Sequence, residues 1–204
     1  MELVITKLER LKKGMCRVWI NDEPALRLSE KECEKRGIRE DASITQESLA
    51  ELHLEVLLPM AKKRCLDILL RADQSRKMVR DKLAKDEYPE DIIELALRYA
   101  ESFHYIDDRR FAENWITQQK EKKSRREITA KLREKGVCDE VIQEAMEESG
   151  PSDPGEQIRR LAEKKGFQMD SADKNERDRF LRYLMRKGFS YGEIIEVFQK
   201  NILT

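Results

Sequence analysis

One helical pattern occurs three times in this sequence, and a chain built that way can fold in few ways. The first copy runs from Ser75 through Leu83 to Leu97, the second from Ser124 through Leu132 to Met146, and the third from Arg177 through Leu184 to Phe198. Leu83 and Leu132 are 49 residues apart, and Leu132 and Leu184 are 52 apart. A period near 50 residues marks supersecondary units that bury their apolar faces against one another. Stacked units predict an elongated, curved array with a long binding surface, a shape suited to binding before catalysis.

Each unit reads as three helices, at roughly 60–72, 76–85 and 89–103, then 109–120, 125–135 and 139–148, then 156–165, 175–187 and 191–201. Ser124-x-x-Glu127 and Ser190-x-x-Glu193 fit the capping box, in which side chain and backbone satisfy each other's orphan N–H groups. Pro89 suits a first helical turn. Gly136 and Gly188 hold the same place after a second helix, where a left-handed residue closes the C-terminus. Glu87 stands at that place in the first unit, which predicts a different turn there. The stretch Ser149–Gly155 is the clearest linker, as a hinge or a rigid turn, and 168–175 is a polar loop found only in the third unit.

The start of the chain differs. Leu3–Leu8, Met15–Ile20 and Ala25–Leu28 have β character, separated by turn signals at Lys12-Lys13-Gly14 and Asn21-Asp22-Glu23-Pro24. Ser29 caps a short helix that stops at Gly37. A sheet this small is marginal alone and is expected to pack on the repeats. Ser43 or Thr45 begins a helix toward Arg71, which Pro59 should kink or split. The expected organisation is a β-hairpin module at 1–42, a connecting helix at 43–59, and repeats at 60–104, 105–149 and 150–204, in a mainly α fold.

Composition narrows the function. Charged residues make up 40% of the 204, against roughly 25% in an ordinary globular protein, and aromatics 6%. That suits thin helical modules, and the regular apolar spacing argues against disorder. Net charge is zero but segregated. Arg109–Lys135 holds ten basic and four acidic residues, Cys138–Glu156 seven acidic and no basic ones, and Lys174–Lys187 six basic and two acidic. Cys16, Cys33, Cys65 and Cys138 form no C-x-x-C pair, so free and mostly buried thiols in a reducing compartment are expected, with no metal. The start of the chain has no secretory pattern, and no apolar run approaches the ~20 residues of a membrane span, so a cytoplasmic protein is expected. Phosphate-loop, dinucleotide and nucleophile-elbow motifs are absent, which leaves nothing on which to build an enzyme or a cofactor site.

The sharpest motif is Tyr105-Ile106-Asp107-Asp108-Arg109-Arg110-Phe111-Ala112. Physically it is a helix start: Asp107 caps, Asp108 favours the positive helix end, and Phe111 with Trp115 opens an apolar face. Together with the Lys135-Gly136 and Lys187-Gly188 turns, it makes the chain from about Met60 to Phe198 resemble the RecX family of recombinase regulators. The family-motif residues are Asp107, Asp108, Arg110, Phe111, Ala112, Gly136 and Gly188, in structural roles. The resemblance implies a non-enzymatic protein, with no cofactor, that binds the RecA filament on single-stranded DNA; separately, an array with polar end faces can remain a monomer. It further implies that the protein depresses ATP hydrolysis and strand exchange in recombination, DNA repair and the SOS response.

Under that implication the contact candidates for RecA or DNA are Lys120, Lys122, Lys123, Arg125, Arg126 and Lys131 in one basic cluster, and Arg177, Arg179, Arg182 and Arg186, beside Lys187, in a second. The plainer reading of both clusters is a solvated surface, as it is for the acidic stretch 139–148. Asp107 and Asp108 are adjacent at a helix start and do not converge on one substrate atom, so catalysis is not expected of them. His53 and His104 are isolated, and Trp19 and Trp115 read as core. Only Tyr88, Tyr105 and Tyr191, near turns, offer an aromatic platform for bases. The rival readings are a helical module that binds single-stranded DNA directly, which zero net charge counts against, and a hydrolase or transferase, for which no converging titratable pocket is visible.

Overall fold

The computed structural model describes residues 3–149, 153–168 and 171–202, with side chains to Gln199. It divides into two compact units, Met1–Asp107 and Asp108–Thr204.

In the first unit, β1 (Leu3–Arg10), β2 (Met15–Ile20), β3 (Glu23–Ser29) and β4 (Ser43–Ile44) form an antiparallel sheet in the order β3-β2-β1-β4. Strand β2 alternates as its sequence does, with Cys16, Val18 and Ile20 buried and Arg17 and Trp19 on the other face. Asn21 and Asp22 both have positive φ, 51° and 67°, in a two-residue hairpin loop whose twist matches that of the strands. The two-residue strand β4, which sequence reasoning assigned to a helix start, pairs with Leu3 and Val4. Ser29 caps α1 (Glu30–Lys35), accepting from the Glu32 N–H.

Thr45 rather than Ser43 caps the next helix, α2 (Gln46–Leu52). One π turn at His53–Leu57 leads into α3 (Leu58–Leu69), so the expected long helix is interrupted. Pro59 lies in the first turn of α3, directly after the π turn, so the break in the regular ladder falls where its ring removes an N–H. Helices α4 (Arg76–Lys85) and α5 (Glu90–Ser102) complete the first repeat. Helix α5 buries Ile92, Ile93, Ala96, Leu97 and Ala100. These join Val18, Leu28, Leu57, Cys65 and Leu83 in one core, so sheet and repeat share their apolar interior. Arg76 braces α4 against α5 through Glu94 at 2.7 Å and Glu101 at 2.8 Å.

Glu87 corrects the expectation of a different first turn. Its φ is +66°, the left-handed conformation that Gly136 (+86°) and Gly188 (+89°) adopt in the other repeats. A side chain in that region costs roughly 1–2 kcal/mol. Here the side chain has a use: the Arg17 Nε donates to the Glu87 carboxylate at 2.8 Å, Arg17 Nη2 makes a second contact, and Arg27 lies at 4.0 Å. The left-handed turn thus aims a carboxylate at the outer face of the sheet.

The second unit holds α6 (Asp108–Gln119), α7 (Arg125–Glu134) and α8 (Asp139–Glu148), then α9 (Pro154–Lys165), α10 (Lys174–Arg186) and α11 (Tyr191–Ile202). Phe111, Ile116, Ile128, Leu132, Ile142 and Met146 are buried in the first trio. Ile158, Phe180, Leu184, Phe189, Ile194 and Val197 form the core of the second. Phe167, Phe180 and Phe198 stack there, the first two with centroids 4.1 Å apart. Asp173 and Glu176 form a reciprocal capping box on α10 that the sequence reading did not single out. The expected box at Ser190 and Glu193 is present. Part of the linker 149–155 and part of the loop 168–175 lie outside the described residues; the described remainder enters helices α9 and α10 earlier than expected, at Pro154 and Lys174.

Three of the four thiols are buried, and burial pushes Cys33 and Cys65 up to about 11. All four are free and three buried, as expected; the exposed one, Cys138, stands at the N-cap position of α8. Among the described residues no helix is long and apolar enough to cross a membrane.

Candidate partner-binding surface

The second unit brings together two basic segments that are far apart in sequence. Ser124 caps α7 by accepting from the Glu127 N–H at 3.1 Å, and its hydroxyl donates to the Lys187 carbonyl at 2.8 Å. Lys187 closes α10, 63 residues away. The reciprocal half of the expected box, from the Glu127 carboxylate to Ser124, is not made. The carboxylate instead lies 3.6 Å from Lys123, with Oε2 buried and unbonded.

Gly188 follows Lys187, and a Cβ there would sit 2.5 Å from Ser124 Oγ and 3.6 Å from the Arg126 Cβ. Glycine is needed for the close approach as well as for its φ of +89°. The start of α7, carrying Arg125 and Arg126, therefore abuts the end of α10, carrying Arg186 and Lys187. Arg182 and Arg179 lie one and two turns back along α10, since helical neighbours recur at three and four residues. Gln157 adds a second tie, its buried amide donating to the Lys120 carbonyl.

The candidate cations are not equivalent. Lys122, Arg125, Arg126, Arg179 and Arg186 are exposed and have no acidic partner among the described residues. Lys120 is half-buried. Lys131 is held by Glu134 at 2.6 Å, which raises its pKa. Lys123 is half-buried beside Glu127 and 6.0 Å from the Trp115 ring, over which Lys135 also lies at 4.3 Å. Arg182 Nε donates to the Asp178 carbonyl in its own helix. Arg177 is half-buried and engaged. Arg109, inside the basic stretch, is bound by Glu113 and Glu148, which raise its pKa, so much of the positive surplus around α6 is neutralised locally.

In the aspartate motif, Phe111 and Ala112 are buried, Arg110 is half-buried, and Asp108 opens α6 directly after Asp107. His53 pairs with Asp91 at 3.1 Å, and His104 is exposed with a φ of +55°. Trp19 and Trp115 are half-buried under lysines rather than fully in the core. Tyr88 is half-buried, and burial raises its pKa. Tyr105 stacks on exposed Phe103 at 5.8 Å, a residue the sequence reading passed over.

Comparison with known proteins gives this arrangement a context. The family models for the first, second and third three-helix domains of RecX match residues 61–99, 107–146 and 153–198, together more than half of the chain. The chain belongs to the RecX family. The "Regulatory protein RecX" of Clostridium botulinum (strain Eklund 17B / Type B) is 28% identical over 206 residues, covering 97% of this chain and 96% of the relative. That of Vibrio parahaemolyticus is 32% identical over 135 residues, covering 66% and 86%. A crystal structure of regulatory protein RecX superposes with a TM-score of 0.64 at 21% identity, over 96% of this chain and 98% of the other. RecX from Lactobacillus salivarius gives 0.58 at 22%, over 72% and 97%. The structural likenesses establish the fold: three tandem RecX three-helix domains behind a small antiparallel sheet.

Proposed function

We propose that the chain is a non-enzymatic regulator that binds the RecA filament on single-stranded DNA and depresses its ATP hydrolysis and strand exchange. Membership in a family whose curated relatives are named regulatory proteins supports a regulatory role. The observation that carries the partner reading is the junction at Ser124 and Lys187, where guanidinium groups from two repeats, without acidic partners among the described residues, come together. A surface of that kind suits an acidic protein face or a run of phosphates. The regulator works as a cytoplasmic monomer and needs no cofactor.

Regulation by binding requires discrimination. A ligand with equal affinity for two filament states shifts neither, and moving an equilibrium from 1:99 to 99:1 takes about 5.5 kcal/mol of differential affinity. The rigid tie between α7 and α10 fixes the spacing of the cations, so they fit one spacing of partner charges better than another.

The test is binding of the Arg125→Gln/Arg126→Gln variant to preformed filaments by co-sedimentation. A loss of at least about tenfold is expected, as for desolvated charge contacts worth 1.5–3 kcal/mol. Binding equal to the parent chain places the partner elsewhere. The second reading, direct binding to bare single-stranded DNA, predicts steep salt-sensitive affinity without RecA.

A further inference from the structure

One side of the first repeat is left uncovered by its own helices. Four of the seven large apolar side chains exposed among the described residues lie along it: Leu54 (55% exposed), Leu95 (36%), Phe103 (56%) and Tyr105 (47%). The packing of α3 on α5 explains how they come together. His53 meets Asp91 at 3.1 Å; nine residues on from His53, Lys62 lies 4.3 Å from the ring centroid of Tyr99, eight residues on from Asp91. The two helices therefore run parallel, with a seam between them. Helix α4 takes the other flank of α5, where Arg76 holds Glu94 and Glu101.

Both walls of the seam are apolar at helical spacing. Leu95, Tyr99 and Phe103 recur every four residues and share one face. Tyr99 packs on Phe103 at 5.0 Å, and Phe103 on Tyr105 at 5.8 Å. Leu54, Leu58 and Lys62 supply the other wall, also four apart. Leu52 and Leu57 are buried, whereas Leu54, inside the π turn, is exposed. The Leu54 end of the seam is acidic. Asp91 precedes Leu95 by four residues and Glu51 precedes Leu54 by three, spacings that make neighbours on a helix surface. Glu47 and Glu51 are exposed and have no basic partner among the described residues.

We propose that this seam is the docking groove for an amphipathic helix of a partner protein, one with large apolar side chains along a single stripe and lysine or arginine over the Leu54 end. Two helices side by side leave a groove between their ridges, and a third helix fills it with apolar residues at i, i+3, i+4 and i+7. Aromatic side chains such as Phe103 are the usual anchors of such contacts. The carboxylates of Glu47, Glu51 and Asp91 select the charge: they attract a cationic helix and repel an acidic one. The seam belongs to the first unit and the basic junction to the second, and they favour partners of opposite charge. The seam therefore stands or falls separately from filament binding.

The experiment uses the full chain with two fluorescein-labelled peptides of about 18 residues, roughly 27 Å of helix, read by anisotropy. One carries leucine at i, i+3, i+4 and i+7 with lysine elsewhere, and the other has the same leucines with glutamate elsewhere. Leu95→Gln and Phe103→Gln change exposed positions, and circular dichroism verifies that both variants fold. Each is expected to weaken binding of the Leu/Lys peptide by at least about fivefold. Glu47→Gln/Glu51→Gln is expected to weaken it by about threefold at low salt and to leave it unchanged at high salt, where screening removes the attraction. The Leu/Glu peptide is expected to bind at least about tenfold more weakly than the Leu/Lys peptide. Variants that bind like the parent chain, or a Leu/Glu peptide bound as tightly as its Leu/Lys counterpart, would overturn the proposal. So would a concentration-dependent dimer in sedimentation that Phe103→Gln abolishes, because a second copy of the chain would then cover the seam.

Discussion

Ser124 and Gly188 act as a pair. The serine hydroxyl caps one helix and bonds the carbonyl that ends another, and the glycine leaves the room it needs. Ser124→Ala should cost about 1–2 kcal/mol in urea unfolding, the loss of a cap plus an orphaned carbonyl. Gly188→Ala should cost about 2–4 kcal/mol, through its positive φ and the 2.5 Å approach. Because removing the hydroxyl relieves that clash, the double variant should be more stable than the two losses added together predict, by about 1 kcal/mol. Simple additivity would mean that the two residues do not touch in solution. The cysteines give a second check at this scale. Only Cys138 should react with a thiol reagent in the native protein, because Cys16, Cys33 and Cys65 are buried. Rapid reaction of more than one thiol would contradict the core assigned to the first unit. The glycine at 188 was legible in the sequence from its position after a helix. The destination of the serine hydroxyl was not, since the nearby Glu127 offered a local partner and nothing in sequence points 63 residues ahead.

Elements were legible wherever caps and periodicity agreed. The boundaries of α4, α7 and α8 follow Ser75, Ser124 and the apolar stripes closely. What escaped were features set by tertiary contact: the two-residue strand β4, the π turn before Pro59, and the left-handed Glu87. Glutamate has no preference for that conformation; the closure of α4 requires it, with the Tyr88 N–H donating to the Leu83 carbonyl, and the ion pair with Arg17 gives the side chain a partner. Neighbouring arginines hold the carboxyls of Glu87 and Glu94 below the usual carboxylate range, through hydrogen bonds from Arg17 and Arg76. A depressed carboxylate contributes stability above its unfolded pKa, and that contribution disappears as pH falls through the folded value. Stability should therefore decline as pH drops below about 4.5, the ordinary glutamate value. Glu87→Gln should be less stable near neutral pH, with a shallower acid decline. An acid decline identical to that of the parent chain would show that the link between sheet and repeat is not formed.

For the whole molecule, the zero net charge conceals how the charge is arranged. The sequence separated basic from acidic stretches, but it could not say which cations were spent internally. Arg109 and Lys131 are held by glutamates, whereas Arg125, Arg126, Arg179 and Arg186 have no acidic partner among the described residues. The repeat pattern and the Asp107–Ala112 motif were enough to indicate the family. The junction of the two clusters required the fold, because it joins residues from different helices. Direct attraction to DNA and regulation of a filament differ in what they demand of this surface: the first needs phosphates alone, the second a partner whose state changes. The decisive measurement is ATP hydrolysis by RecA on single-stranded DNA, titrated with the chain beside its binding to the same DNA without RecA. Saturable inhibition at concentrations where bare DNA is still unbound is the predicted result. No inhibition at any ratio, or inhibition that merely tracks occupancy of bare DNA, would contradict it.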